Sequence, residues 1–178
     1  KKKLKSKILS RKKSALKSAK ILGVEKVFFG NFPDNQLDKI SLLKITKLIE
    51  KHLKRLNPKT IITHHFNDLN VDHRKVSEAT ITACRPLKSN QVGLILFFEV
   101  LSSTEWQISD SKKFFNPNWF EDISNFLKVK KKALACYNQE LKRYPHSRSF
   151  KGVEALARYR GISSGYQYAE GFVLGRKK

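Results

Sequence analysis

Residues 63–86 read THHFNDLNVDHRKVSEATITACRP and join a predicted strand to a predicted helix. The strand is residues 58–63, where β-branched Thr and Ile follow a proline. The helix is indicated by Val76, Ala79 and Ala83, which recur at helical spacing. In an open parallel α/β sheet, ligands bind in the loops that follow the carboxyl ends of strands. This loop holds five side chains suited to chemistry: His64, His65, Asp68, Asp72 and His73.

Predicted helices and strands alternate along the rest of the chain. Helical spacing of apolar residues predicts helices that end near Gly23 and that cover residues 42–56, 123–141 and 153–160. Short apolar runs predict further strands at residues 27–29, 92–101 and 168–174. Such alternation is typical of a parallel sheet. We therefore predict an α/β fold, Rossmann-like with three αβα layers and a mostly parallel sheet, forming one domain over residues 1–178.

The composition narrows the class of protein. With 178 residues, 40% of them hydrophobic and 12 of them Phe, the chain can fill the core of a single domain. The formal charge of +22 attracts polyanions, including nucleic acid and phosphorylated substrates. The lysines are spread along the chain, which equally fits a solvated surface. No apolar run reaches the ~20 residues of a membrane span, so we predict no membrane insertion and a cytoplasmic protein with two reduced cysteines.

The polar loop has the composition of a metal site. Imidazole and carboxylate groups suit a borderline cation such as zinc. Asp72 is the predicted N-cap of the following helix, which places His73 at the first helical position, where the helix would fix a metal ligand. The alternatives are that Asp72 is a cap and nothing more, and that His73 is an ordinary surface histidine.

Several motifs together resemble a known family. They are Thr63-His64-His65, Asp68-Leu69-Asn70, Asp72-His73-Arg74, Thr82-Ala83-Cys84-Arg85-Pro86, Phe98-Glu99-Val100, Ser102-Ser103-Thr104-Glu105-Trp106, Tyr144-Pro145-His146-Ser147-Arg148-Ser149 and Tyr168-Ala169-Glu170-Gly171-Phe172. In this order they resemble the PIG-L/LmbE family of zinc-dependent de-N-acetylases, in a bacterial branch associated with sugar and glycan metabolism. The resemblance implies hydrolysis of an acetamide on an N-acetylglucosamine-type sugar or glycoconjugate, with zinc or another divalent metal as cofactor.

The resemblance also predicts that part of the family pattern precedes this chain. The family's first motif, His-Pro-Asp-Asp, supplies two of three protein ligands to zinc and the general base, and the sequence does not contain it. The chain has no methionine and begins Lys-Lys-Lys. We therefore expect a missing N-terminal strand, helix and strand, with a processed precursor as the alternative. His73 corresponds to the remaining zinc ligand, and the chain as given is expected to be inactive.

Other residues receive roles from the same resemblance. Many relatives place an oxyanion-stabilising histidine three positions before the metal histidine, where this chain has Asn70. We therefore group Asn70 with three further catalytic candidates: Asp72, His65 and His146. The substrate-binding candidates are His64, Asp68, Arg85 and Arg148, and either arginine could grip a substrate phosphate or form an ordinary ion pair. Glu170 is the candidate for orienting a metal-ligating histidine through a hydrogen bond, without binding the metal itself.

Two other hypotheses remain at this point. The chain could be a basic nucleic-acid-binding module whose Phe, Tyr and Trp residues stack on bases, although it has no recognisable motif of that kind. It could also be a non-catalytic relative of the family. On the favoured hypothesis its partner is an N-acetylated sugar or sugar conjugate, in free or phosphorylated form. We predict no specific nucleic-acid partner, and the chain could form a homo-oligomer.

Overall fold

The computed structural model describes residues 2–88, 91–108 and 114–178, and side chains from residue 6 onward. Within these residues the chain forms five α-helices, four strands and two short 3-10 turns. The helices are α1 (Lys2–Ile21), α2 (Leu42–Leu56), α3 (Val71–Ala83), α4 (Leu127–Ala135) and α5 (Phe150–Ile162). The strands are β1 (Thr60–His64), β2 (Leu94–Phe98), β3 (Trp119–Asp122) and β4 (Ala169–Lys177), and the 3-10 turns are Leu37–Lys39 and Thr104–Trp106.

The four strands form one open sheet in the order β1-β2-β4-β3. β1 and β2 are parallel, with Thr60 opposite Leu94 and His64 opposite Phe98. β2 and β4 are antiparallel. The predicted α/β class is confirmed, and the sheet is mixed rather than dominated by parallel pairs.

The chain divides into two compact units. One consists of residues 1–29 and 121–170, and the other of residues 30–120 and 171–178. The first, which we call the helical unit, contains α1, α4 and α5. The second, which we call the sheet unit, contains α2, α3, β1, β2 and most of β4. This division does not test the prediction of a single domain over residues 1–178, which stays a prediction.

Two apolar clusters fill the sheet unit. Cys84, Val92, Ile95 and Phe97 form one of them, with Leu53, Ile61 and Val173 packed against it. The other consists of Leu37, Ile45 and Ala79, with Val76 and Ile49 among its neighbours. α2 and α3 thus pack together through the apolar faces that their sequence periodicity predicts. These contacts fix the start of α3 relative to the sheet.

Several predicted element boundaries are wrong. Residues 27–29 are not in the sheet, because an apolar run becomes a strand only when another backbone pairs with it. The predicted strand at 92–101 is limited to Leu94–Phe98, since the amide of Val100 donates to the Thr104 hydroxyl and starts a turn. The predicted helix at 123–141 covers only Leu127–Ala135. The end of α1 near Gly23 is confirmed, and Gly23 has a left-handed φ of 71°.

None of the helices in the described ranges is both long enough and apolar enough to cross a membrane.

Gly175 is required by a close approach inside the sheet. The register of β4 against β2 shifts between Leu174 and Arg176, so Gly175 is the extra residue of a bulge. A Cβ at this position would overlap the ring of Phe97. That ring is buried in the core and has little room to move.

We therefore expect Gly175→Ala to lower the free energy of unfolding by about 1 to 3 kcal/mol, the usual cost of overpacking. Gly93→Ala is the matched control, because the nearest atom to its added Cβ would be the Lys59 carbonyl oxygen at 3.8 Å, an ordinary contact. Urea denaturation of both variants measures the difference. Equal stability of the two variants would contradict the packing argument.

Candidate active site

The candidate site begins where two parallel strands end. His64 is the last residue of β1 and lies opposite Phe98, the last residue of β2. The amide of His65 then donates to the Phe98 carbonyl at 3.0 Å. Because the carboxyl ends of parallel strands meet at one edge of a sheet, loop 65–70 leaves the sheet at the edge where ligands bind in this fold class.

Asn70, and not Asp72, is the N-cap of α3. The Asn70 side-chain oxygen accepts from the amide of Asp72 at 2.8 Å, and the helix begins at Val71. The prediction that Asp72 caps the helix and that His73 occupies the first helical position is therefore wrong, and His73 is the third helical residue. Both residue types can cap, so the sequence alone did not distinguish them.

Asn70→Ala should cost about 0.5 to 2 kcal/mol of stability, because the orphan amide of the first helical turn loses its acceptor. Asn70→Ser is the control, since a serine hydroxyl can accept the same hydrogen bond. Thermal and urea denaturation of both variants test this expectation. A serine variant as unstable as the alanine variant would show that capping is not what Asn70 contributes.

The carboxylate of Asp72 is committed to the backbone of a different loop. It accepts from the amide of Asn35 at 2.7 Å and from the amide of Leu37 at 2.9 Å. Asp72 therefore ties residues 35–37 to the first turn of α3. This structural role was not predicted, and it occupies both carboxylate oxygens of a residue proposed to be catalytic.

Asp68 is the central residue of the loop. Its side chain is 0% exposed, and four groups surround its carboxylate. Oδ1 lies 2.9 Å from His73 Nδ1 and accepts from the Asn70 amide at 2.9 Å and from the Ser103 hydroxyl. Oδ2 accepts from the Thr104 hydroxyl at 2.6 Å. The substrate-binding role of Asp68 stays a prediction, and the structure shows its side chain fully buried.

Burial and hydrogen bonding act in opposite directions on this carboxyl group. Burial alone would raise the pKa of Asp68, but hydrogen bonds from His73, Ser103, Thr104 and the Asn70 amide outweigh it and hold the pKa well below its usual range. The group is therefore a buried carboxylate that accepts every hydrogen bond it makes.

His73 is held from two sides. Its Nδ1 atom contacts Asp68, and its ring stacks on the ring of His64 with centroids 4.2 Å apart and planes inclined by 18°. The His64 ring in turn packs on Phe98 at 4.7 Å. The His73 side chain is 21% exposed, so part of the ring reaches the surface. His73 therefore has one nitrogen fixed by a buried acceptor and a ring orientation fixed by stacking.

His64 is kept neutral at physiological pH. Burial, followed by the charge of His73, lowers the pKa of His64 to about 4, and the charge of Asp68 only partly opposes this shift. Its Nδ1 atom is buried and has no hydrogen-bond partner among the residues that the structure describes. His64 thus presents a neutral ring to His73.

His65 points into the core instead of the site. Its side chain is 1% exposed, and its ring contacts Phe66 at 4.4 Å and Phe115 at 5.2 Å between centroids. Burial lowers the pKa of His65, with the charge of Asp68 opposing. The catalytic role of His65 stays a prediction, and the structure shows its side chain almost fully removed from solvent. His64 differs in that its ring stacks on His73.

Arg74 is a structural clamp that the sequence did not reveal. Its guanidinium donates to the carbonyl of Asp68 at 2.7 Å and to that of Leu69 at 2.6 Å. These two bonds fix the loop immediately before α3. A signal was available, since Arg74 follows His73 in the motif that carried the family resemblance.

The other predicted site residues lie apart from this loop in the sequence. Arg85, in the sheet unit, forms an exposed ion pair with Glu50 at 3.5 Å. His146, Arg148 and Glu170 belong to the helical unit. There, His146 Nδ1 accepts from the Arg148 amide at 3.0 Å, Arg148 pairs with Glu140 at 3.8 Å, and Glu170 pairs with Lys130 at 2.6 Å.

One residue of the site, His73, is arranged as a zinc ligand, but the described residues do not provide a complete set of ligands. A zinc-bound histidine usually has its second nitrogen held by a carboxylate, which is the arrangement of His73 and Asp68. Within the part of the chain that the structure describes, however, no group of three His, Cys, Asp or Glu residues could hold a metal ion. Asp68 and Asp72, the acidic residues that precede His73 in this loop and first helical turn, both accept hydrogen bonds from other groups.

The first 84 residues match a protein-family model. It is the PIG-L family, described as GlcNAc-PI de-N-acetylase, and the match covers residues 1–84. The resemblance to the PIG-L family is therefore confirmed. The matched range includes β1, α3 and the whole of loop 65–70. A search of curated protein sequences gives no significant match.

Solved structures with the same fold include two with a TM-score of 0.72. One is a conserved protein from Thermus thermophilus, 22% identical, with 95% of this chain and 74% of that one covered. The other is the N,N'-diacetylchitobiose deacetylase of Pyrococcus horikoshii, 21% identical, with 94% of this chain and 64% of that one covered. This chain thus spans less than two thirds of the Pyrococcus enzyme.

A third similar structure belongs to a different class of enzyme. GalB, the 4-carboxy-2-hydroxymuconate hydratase of Pseudomonas putida, is 20% identical, with 95% of this chain and 72% of that one covered and a TM-score of 0.60. At these identities the likeness establishes the fold, and the fold by itself does not fix the reaction.

Proposed function

We propose that this protein is a deacetylase that removes the acetyl group from an N-acetylated amino sugar or its conjugate, of the N-acetylglucosamine type. The observation that carries the proposal is the pairing of His73 with a fully buried carboxylate inside a PIG-L match. The family's description and the diacetylchitobiose deacetylase with this fold support the substrate class. We retain a cytoplasmic location as part of the same proposal.

The cofactor in this proposal is zinc, or another divalent metal in its place. His73 would bind it through Nε2, because Nδ1 is engaged by Asp68. When bound, zinc lowers the pKa of a coordinated water toward ~7. The 178 residues do not contain His-Pro-Asp-Asp, the motif that supplies two further protein ligands in the family pattern.

The reaction itself is an amide hydrolysis. The oxygen of water forms a bond to the acetyl carbonyl carbon, the carbon–nitrogen bond breaks, and the nitrogen takes up a proton to leave as the amine. Acetate is the second product. His64, which stacks on His73 and is neutral, is the proposed substrate contact of the described loop. Arg85 and Arg148 are retained as proposed phosphate contacts, and His146 as a proposed donor.

Acetate release is the direct test. The protein, at the full length at which it occurs naturally and loaded with zinc, is incubated with N-acetylglucosamine, N,N'-diacetylchitobiose and a phosphorylated N-acetylglucosamine. We expect acetate and free amine in equal amounts from at least one of them, and loss of both after chelation. No acetate from any N-acetylated sugar would overturn the proposal.

A net charge of +22 keeps nucleic-acid binding as a second candidate function. The same preparation is therefore titrated with random oligonucleotides at two salt concentrations. Tight binding that falls steeply with salt, together with absence of acetate release, would favour a nucleic-acid-binding module. Acetate release without such binding would exclude it.

A further inference from the structure

The segment 102–105 has no role in the proposed chemistry, yet it contacts the centre of the site. The hydroxyls of Ser103 and Thr104 both donate to the carboxylate of Asp68. Asp68 lies 35 residues from Ser103 in the sequence. These hydrogen bonds join the turn after β2 to the loop after β1, together with one from the Gln107 side chain to the Asn67 carbonyl at 2.9 Å.

The segment is itself held firmly. The carboxylate of Glu105 accepts from the amides of Ser102 at 2.6 Å and Ser103 at 3.2 Å. The Thr104 hydroxyl accepts from the Val100 amide at 2.7 Å, so its own proton is directed to Asp68. Ser102 has a φ of 63°, a left-handed conformation that is uncommon for serine.

We propose that Asp68 is a positioning residue for His73, held in place by Ser103 and Thr104, and that it fixes the proton of neutral His73 on Nδ1. Nε2 then carries the lone pair and is the nitrogen available to a metal ion or to a proton. This inference deepens the proposed function, on which its catalytic meaning rests. The geometry of the pair is independent of the substrate.

The hydrogen-bond donors around the Asp68 carboxylate determine where the shared proton lies. Each of the other groups that contact the Asp68 carboxylate is a donor: the Asn70 amide and the hydroxyls of Ser103 and Thr104. A carboxylate surrounded in this way has no proton to give, so the proton between it and His73 resides on the imidazole. The tautomer of a histidine is set by the hydrogen bond that one of its nitrogens makes.

Packing alone, without a hydrogen bond from Nδ1 to Asp68, would leave His73 free to adopt either tautomer. The tautomer itself is therefore the readout. Histidine side chains of the ¹⁵N-labelled chain are observed through their two-bond proton–nitrogen couplings at about pH 8, well above the ordinary imidazole pKa of about 6.5. Neither metal nor substrate is added, so failure of the deacetylase assay cannot affect the result.

The same spectrum contains an internal control. His146 Nδ1 accepts a hydrogen bond from the Arg148 amide, so neutral His146 must carry its proton on Nε2. We expect opposite tautomers: Nδ1–H for His73 and Nε2–H for His146. A His73 that carries its proton on Nε2 would overturn the inference, whatever the outcome of the activity assay.

Two variants then assign the effect to Asp68. Asp68→Ala removes the acceptor, and Asp68→Asn keeps the shape of the side chain in case the alanine variant does not fold. In one orientation the neutral side-chain amide accepts from Nδ1–H through its oxygen, more weakly than a carboxylate does. In the other orientation its NH2 group donates to Nδ1. We expect the His73 tautomer ratio to shift toward Nε2–H by roughly fivefold or more. An unchanged ratio in a folded Asp68→Asn variant would contradict the inference, while His146 should not respond.

Discussion

Asp68→Ala should lower the free energy of unfolding by about 3 to 5 kcal/mol, because it removes a buried carboxylate and leaves several donors without an acceptor, each at a cost of about 1 to 3 kcal/mol where the donor is buried. The donors are His73 Nδ1, the Asn70 amide and the hydroxyls of Ser103 and Thr104. Since total stabilities of domains are about 5 to 15 kcal/mol, this loss is a large fraction. Urea denaturation monitored by circular dichroism measures it.

Glu78→Ala is the matched control for that experiment. Glu78 lies on α3, where its exposed carboxylate pairs with Lys75 at 2.9 Å. An exposed pair of this spacing is worth only about 0.5 kcal/mol. If the loss for Asp68→Ala were no larger than for Glu78→Ala, the buried network would not stabilise the fold as its geometry indicates.

His73→Asn should lower kcat/KM for deacetylation by about a thousandfold in any form of the protein that shows activity. The asparagine amide can replace Nδ1 as the donor to Asp68, but the variant has no counterpart of Nε2. Metal ligation contributes several kcal/mol to reactions of this kind, and about 4 kcal/mol corresponds to a factor of a thousand. Rates of acetate release, measured with saturating zinc, give the value.

Asparagine is preferred to alanine here because it separates chemistry from folding. The hydrogen bond to Asp68 is retained, so we expect the stability of His73→Asn to fall by much less than that of Asp68→Ala. His52→Ala, which removes a histidine on α2, should leave the rate within a few fold. A His73→Asn variant that keeps most of its activity would show that Nε2 of His73 takes no part in the reaction.

Local sequence was sufficient for the strand, the loop and the helix around the candidate site. β-branched residues before His64 and apolar residues at helical spacing after Asp72 are short-range signals, and β1 and α3 lie where these signals predict. The same stretch also supplied His73 and the family resemblance, which the match over residues 1–84 confirms. The strand predicted at residues 27–29 failed because a strand depends on a pairing partner that the run itself does not contain.

The sequence by itself determined the α/β class, the strand–loop–helix unit and the identity of its polar residues, because these depend on neighbours within a few positions. Only the tertiary structure decided which of those residues reach the surface. Asp68 proves to be buried because Ser103 and Thr104, 35 and 36 residues away, close over it. His65 is buried because its ring packs against the ring of Phe115, 50 residues away in the sequence. Contacts over such distances depend on the pairing of β1 with β2, which joins residues as far apart in the sequence as Thr60 and Leu94.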